Sequence, residues 1–260
     1  MKPSTTNAKS TITKGIAAAA WILLWQLCCI ILNKPLLLPS PWQVLKTLFR
    51  LAGNSLFWSS VAASLGKVLL AFLLAVAAGC LCAVLAAAVP WVRTFLHPPV
   101  SIIRATPVAS FTILALVWIP SKWLPVFISF LMVLPMIYEN VYQGIQNTDP
   151  LLLEMGKVYQ LSLWKKLRFL YFPAVLPFFS SACVNGLGFA WKSGIAAEVL
   201  GLPKLAIGRQ IHDAKIYIEI PELFAWTAVV ILLSMVLERL LLSLMKLLKR
   251  RVLLAKEAEA

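Results

Sequence analysis

Lys192 and Glu198 stand six residues apart in a long apolar stretch, where an ammonium and a carboxylate are costly unless they have a task. Groups at such depth line a route for solute, gate it, or hold helices together. Lys192 is read here as lying near a translocation route and favouring anionic or polar cargo. Glu198 is read as a gate or an interface hydrogen-bonding group. Their spacing does not place both on one helix face. Ala182, Gly186, Ala190 and Gly194 recur every fourth residue, with Glu198 next on the same face. Such a stripe lets helices approach closely in lipid, or offers a mobile contact or pathway face. Covalent chemistry has no comparable support. His97 and His212 are the only histidines, on opposite sides of the membrane in the topology below. No His/Cys/acid cluster has metal-ligand spacing, and no Ser–His–acid set falls on one side. No catalytic residue, metal site or cofactor is therefore expected. The chain also lacks a G-x-x-x-x-G-K-[ST] run, so it does not bind ATP through a P-loop.

Recognition chemistry is concentrated in residues 149–172. Asp149 can cap a helix, and Pro150 suits its first position because that N–H would be unpaired anyway. The helix expected from Leu151 to about Tyr159 presents Leu151, Leu152, Met155 and Tyr159 along one side, with Glu154, Lys157 and Val158 round the rest. The chain should turn near Leu161. Ser162 can cap a second helix carrying Trp164, Lys165, Lys166 and Arg168, which Pro173 and Pro177 are expected to break. A short helix with apolar knobs and a charged flank suits a groove on a partner protein. An interfacial helix would account for the lysines and Trp164, but not for Glu154 or the two successive caps.

The elements that position these residues belong to lipid. Of 260 residues, 61% are hydrophobic and 13% charged, about half the charge of a soluble domain. Six segments are long and apolar enough to span: 15–33, 60–92, 100–119, 123–145, 173–200 and 222–248. The net charge of +14 records membrane orientation more readily than nucleic-acid binding. With the N-terminus inside, and Arg104, Arg239 and Lys246 counted with the inner side, basic residues divide 15 inside to 7 outside, leaving Lys67 and Lys192 in spans. Both termini, and 149–172, are thus expected in the cytoplasm. Cys28, Cys29, Cys80, Cys82 and Cys183 lie in apolar runs and read as buried, reduced thiols. After Pro39-Ser40-Pro41, the run Trp42, Leu45, Leu48, Phe49 predicts an interfacial helix. Residues 1–14 and 251–260 read as cytoplasmic tails around one membrane domain, 15–250.

The segment 149–172 resembles the EAA loop of the permease subunits of binding-protein-dependent ABC importers. Glu154 takes the acidic position, Met155 and Gly156 replace the alanines, and Pro173 and Pro177 match the closing prolines. Gln160 occupies the position of a glycine that would ease a sharp turn. Arg104-Ala105-Thr106-Pro107 resembles the R-x-x-P element of the branch that includes sulfonate, taurine, nitrate and thiamine-precursor permeases. Gly144-Ile145 with Thr148-Asp149-Pro150 is similar to its lead into the loop. Ala197-Glu198-Val199-Leu200-Gly201, then Gly208, is similar to its A-E-x-L-G segment. The likeness spans about residues 38–250; the weak E-A-A core and Lys192 depart from it.

That resemblance implies an all-α integral membrane protein of six transmembrane helices, a type I ABC importer permease, in a bacterial cytoplasmic membrane. It implies pairing with a second permease copy or paralogue, two cytoplasmic ATPase subunits reached through the loop, and an extracytoplasmic binding protein. The cargo implied is a small solute such as an organic anion or a vitamin precursor. A stand-alone secondary transporter or channel is the alternative; the absence of an inverted repeat and the dedicated docking helix count against it. A membrane enzyme is weaker still.

Overall fold

The computed structural model of the chain describes residues 5–34 and 36–258. Lys2 and parts of the expected tails, 1–14 and 251–260, fall outside them. Every regular element among the described residues is helical. In chain order these are α1 (Thr5–Leu32), α2 (Pro41–Ala52), α3 (Ser55–Ala88), α4 (Pro90–Ala105) and α5 (Val108–Ala115). They continue with α6 (Leu124–Gln146), α7 (Pro150–Val158), α8 (Leu163–Lys166), α9 (Phe172–Gly201), α10 (Ile207–Ile216) and α11 (Ile220–Ala258).

Among the described residues, five stretches are long and apolar enough to cross a bilayer: Gly15–Leu32, Ser55–Ala88, Leu124–Gln146, Leu163–Gly201 and Ile220–Leu247. The sixth exists only if α4 and α5 count together, and they bend by 105° at their junction. In place of one helix over the span expected at 100–119, the structure has this bent pair. Pro107 supplies the reason. Its ring drives the preceding residue out of the helical region, and Thr106 adopts φ −81°, ψ 127°. Pro107 then opens α5 from its own extended conformation.

The prolines expected to break the helix after Ser162 do not. Residues 163–201 run on as one helical stretch, with a π-turn over Leu167–Tyr171 joining α8 to α9. There the N–H of Phe172 reaches the carbonyl of Leu167, five residues back. A turn widened in this way gives room just before Pro173, whose ring would otherwise crowd the preceding turn. Pro173 falls in the first turn of α9 and Pro177 within it.

The chain clusters into two compact units. One comprises residues 1–58 with 210–229. Its α2 begins with a reciprocal capping box, Ser40 with Gln43, and Pro41 in the first turn. Trp42 and Phe49 are exposed on that helix, as the amphipathic pattern predicts. Phe57 stacks on Trp226 at 4.9 Å between ring centres, and Trp25 lies 6.0 Å from Phe224. Arg50 pairs with Glu222 at 2.5 Å.

The other unit comprises residues 59–209 with 230–260. Its core lies between α6 and α9, with α3 beside them. Ile128, Val133 and Ile137 of α6 are fully buried, as is Ala190 of α9. The small stripe on α9 permits the approach. A Cβ on Gly194 would lie 2.6 Å from Ser129 Oγ and 2.7 Å from Val68 Cγ2. Ser129 Oγ donates to the Ala190 carbonyl at 2.9 Å, which ties α6 to α9 by a hydrogen bond inside the packed seam.

Candidate functional site

The segment 149–172 builds itself from local rules. Asp149 Oδ1 accepts the Leu151 N–H at 2.9 Å, and Pro150 occupies the first turn of α7. The helix ends in a Schellman motif. Leu161 N–H reaches the Gly156 carbonyl at 3.0 Å, and Gln160 N–H reaches that of Lys157 at 3.0 Å. Gln160 sits in the left-handed region, φ 49°, at the position where glycine is commonest. The sharp turn is therefore made with glutamine, against a steric cost of about 1–2 kcal/mol. Ser162 Oγ then accepts the Lys165 N–H at 3.4 Å and starts α8.

The faces of α7 follow from Gly156, its buried residue. A Cβ at Gly156 would lie 3.0 Å from Leu170 Cδ1, so α7 leans on the stretch 163–171 at that point. Leu151, Met155, Val158 and Tyr159 are exposed, from 53% to 78%, together with Glu154 and Lys157. Leu163 and Trp164 of α8 are exposed as well. The apolar surface of α7, set among charges and outside the candidate spans, is shaped for contact with another protein.

A second constellation surrounds Glu198, whose side chain is fully buried. Ser64 Oγ of α3 lies 2.7 and 2.9 Å from its two carboxylate oxygens and donates its proton between them. Gly208 N–H donates to Oε2 at 3.1 Å, and Lys67 Nζ lies 3.5 Å from Oε1. Lys67 also donates to the Leu205 carbonyl at 2.8 Å, and Ser64 Oγ accepts the Ile207 N–H at 2.9 Å. One carboxylate thereby fastens the end of α9, the connection after it and the start of α10 to α3. A polar group is tolerated at this depth where partners satisfy it so fully.

Spacing alone did not reveal Ser64 and Lys67, because they lie more than 130 positions from Glu198. The available signal was Ser64 and Lys67 themselves, two polar residues one turn apart in an apolar helix. Arg104 is likewise paired: its guanidinium donates to both carboxylate oxygens of Glu139 on α6. Arg104 and Pro107 thus bracket the bend, one tying the end of α4 to α6 and the other starting α5. Gly186 and Gly194 are buried against α3 and α6. Lys192 is exposed on another face of α9 and belongs to none of the ion pairs among the described residues.

The family model described as "Binding-protein-dependent transport system inner membrane component" matches residues 75–254. The taurine transport system permease protein TauC of Escherichia coli (strain K12) is 25% identical over 234 residues, covering 88% of this chain and 85% of that protein. The putative aliphatic sulfonates transport permease protein SsuC of Bacillus subtilis (strain 168) is 26% identical over 220 residues, 83% of this chain and 77% of that one. The nitrate import permease protein NrtB of Synechocystis sp. (strain ATCC 27184 / PCC 6803 / Kazusa) is 25% identical over 225 residues, 78% and 76% of the two. A solved structure described as an amino acid ABC transporter with histidines matches with a TM-score of 0.60 at 20% identity. The match covers 75% of this chain and 94% of that one, and establishes a shared fold.

Proposed function

Because the chain belongs to the family of binding-protein-dependent transport system inner membrane components, we propose that it couples to a separate cytoplasmic ATPase through residues 149–172. The chain is the multi-pass membrane translocation subunit of an ABC importer, a non-catalytic part of that machine. Its cargo, on this reading, is a small solute of the kind its relatives' names describe, a sulfonate or a comparable anion. The membrane domain spans 15–250, between cytoplasmic tails, and pairs with a second copy or a paralogue. An extracytoplasmic binding protein delivers the solute from the other side.

One observation carries the coupling reading: α7 exposes Leu151, Met155, Val158 and Tyr159 while its glycine is the residue turned inward. The cap at Asp149, the turn at Gln160 and the cap at Ser162 hold that short helix in a defined orientation. Glu154 supplies a charge for a basic group on the partner's groove. Closure of the ATPase subunits then moves α7, and the continuous stretch 163–201 carries the motion into the membrane. Pro173 and Pro177 follow the π-turn of that stretch in the first part of α9, a place for it to flex. At the far end Glu198 is the anchor of the same lever. Arg104 and Pro107 fix the bend of the α4–α5 pair beside it.

The test is co-purification from native membranes of the natural chain and of Glu154→Lys. An ATP-hydrolysing subunit should accompany the natural chain and be lost or uncoupled in the variant. Absence of an ATPase from both, with solute movement by the purified chain alone, would favour a stand-alone transporter.

A further inference from the structure

The polar groups of α9 do not all face the packed seam. Ser181, Asn185 and Lys192 are exposed, and positions four and seven apart bring all three to one face, with Gly188 between. Glu198, the only acid on α9, is buried on a different side. Ser181 and Asn185 also line a groove of about 310 Å³ whose opposite wall is α11, with Leu242, Met245 and Lys246. The volume is at the lower end for sites of small ligands.

Hydrocarbon is a poor solvent for this face. A serine hydroxyl, an asparagine amide and an ammonium left in lipid forgo the hydrogen bonds they make in water. The buried stripe shows the contrast: Ala182, Gly186, Ala190 and Gly194 pack against α3 and α6 and carry no polar side chain. Both Lys192 of this face and Lys246 of the opposite wall are outside the ion pairs found among the described residues. Among the described residues, no acidic side chain lines the groove. Two unpaired ammonium groups with hydrogen-bonding side chains between them complement a small solute that is negative and rich in acceptors.

The geometry points to the Ser181–Asn185–Lys192 face, with Lys246 at its end, as a water-filled strip that passes a small oxyanion such as a sulfonate. This rests on the chain being the translocation path and names the part of the path that selects cargo. Along α9 the strip rises about 16 Å from Ser181 to Lys192, half the thickness of the hydrocarbon core. The oxyanion is handed along it, solvated by Ser181 and Asn185 and held by the cations at either side.

The full chain in its native membranes, with its five cysteines replaced by alanine, serves as the background. Ser181→Cys, Asn185→Cys and, as a reference on an exposed apolar site, Leu81→Cys are introduced singly. Each is treated with the anionic 2-sulfonatoethyl and the cationic 2-trimethylammonioethyl methanethiosulfonate, and rates are taken relative to a free thiol in water. Both strip positions should react where Leu81→Cys does not. The sulfonate should lead by on the order of tenfold, the factor expected of one nearby charge at intermediate dielectric. Adding Lys192→Met should remove that lead at Asn185→Cys while leaving labelling by a neutral reagent unchanged. Labelling no faster than at Leu81→Cys, or a lead for the cationic reagent, would overturn the proposal. So would a several-fold rise in the sulfonate rate at Ser181→Cys on transfer to phosphatidylcholine alone, since the groove would then hold anionic lipid headgroups. Labelling does not require the ATPase, so failure of the coupling reading leaves this outcome readable on its own.

Discussion

Glu198 Oε2 accepts the backbone N–H of Gly208 at 3.1 Å, closing a ten-residue loop onto the end of α9. Leu202, in the left-handed region at φ 49°, reverses the chain there, and its N–H is satisfied by the Glu198 carbonyl at 2.9 Å. A single acidic residue therefore accepts from the connection through its side chain and terminates α9 through its backbone. The A-E-x-L-G segment followed by Gly208 is the sequence trace of that closure.

Removing the carboxylate should loosen the latch. Glu198→Gln leaves part of the acceptor set and should lower unfolding free energy in detergent by about 1–3 kcal/mol. Glu198→Ala leaves the Gly208 N–H without its acceptor and Lys67 with the Leu205 carbonyl alone, and should cost more, about 3–5 kcal/mol. Thermal unfolding of the purified chain measures both, and an unchanged midpoint for the alanine variant would exclude a structural role.

Gly208 and Gly194 tolerate no side chain, whereas Gly188 does. A Cβ on Gly208 would lie 2.4 Å from Glu198 Cβ and 2.6 Å from the Val199 nitrogen, neither of which can swing away. Nothing lies within 4 Å of one on Gly188. Gly208→Ala and Gly194→Ala should each destabilise by about 1–3 kcal/mol. Gly188→Ala should equal or exceed the natural stability, because alanine favours a helix. Equal melting temperatures for all three would contradict the packing described.

Gln160→Gly should stabilise the coupling segment, since glycine adopts the left-handed conformation without the steric cost. A gain of about 1 kcal/mol is expected, read as slower amide exchange at Gln160 and Leu161. Gln160→Val should do the opposite. Faster exchange in the glycine variant would count against the turn.

Pro107→Ala restores an N–H and frees Thr106 to become helical. The 105° bend between α4 and α5 should then relax toward a straighter pair. Spin labels at Ile102 and Ile113 would report the change as a longer distance with a single maximum. An unaltered distance would assign the bend to the Arg104–Glu139 tie instead.

That tie is half exposed, at 59% for Arg104 and 33% for Glu139, so its coupling should be modest. A double-mutant cycle with Arg104→Met and Glu139→Leu should yield about 1 kcal/mol or less. A value several times larger would mean the pair is shielded from water in the assembled importer.

The amino-acid sequence determined whatever depends on neighbours along the chain. Asp149, Pro150 and Ser162 set their caps because a cap needs only the next three residues. Apolar runs of some twenty residues declared the spans, since lipid leaves backbone groups no partner outside the helix. The small stripe on α9 declared either a packing or a pathway face, and its burial against α3 and α6 came only with the tertiary structure. Tertiary structure decided what depends on residues brought together from afar. Which polar groups of α3 meet Glu198 is fixed by the depth at which α3 and α9 cross, and no periodicity encodes that depth. Whether Pro173 ends a helix or merely follows a wider turn depends on what the flanking turns can absorb. Lys192 and Glu198 look alike as charges in an apolar run. Packing separated them, because only one points into the seam where Ser64, Lys67 and Gly208 can satisfy it.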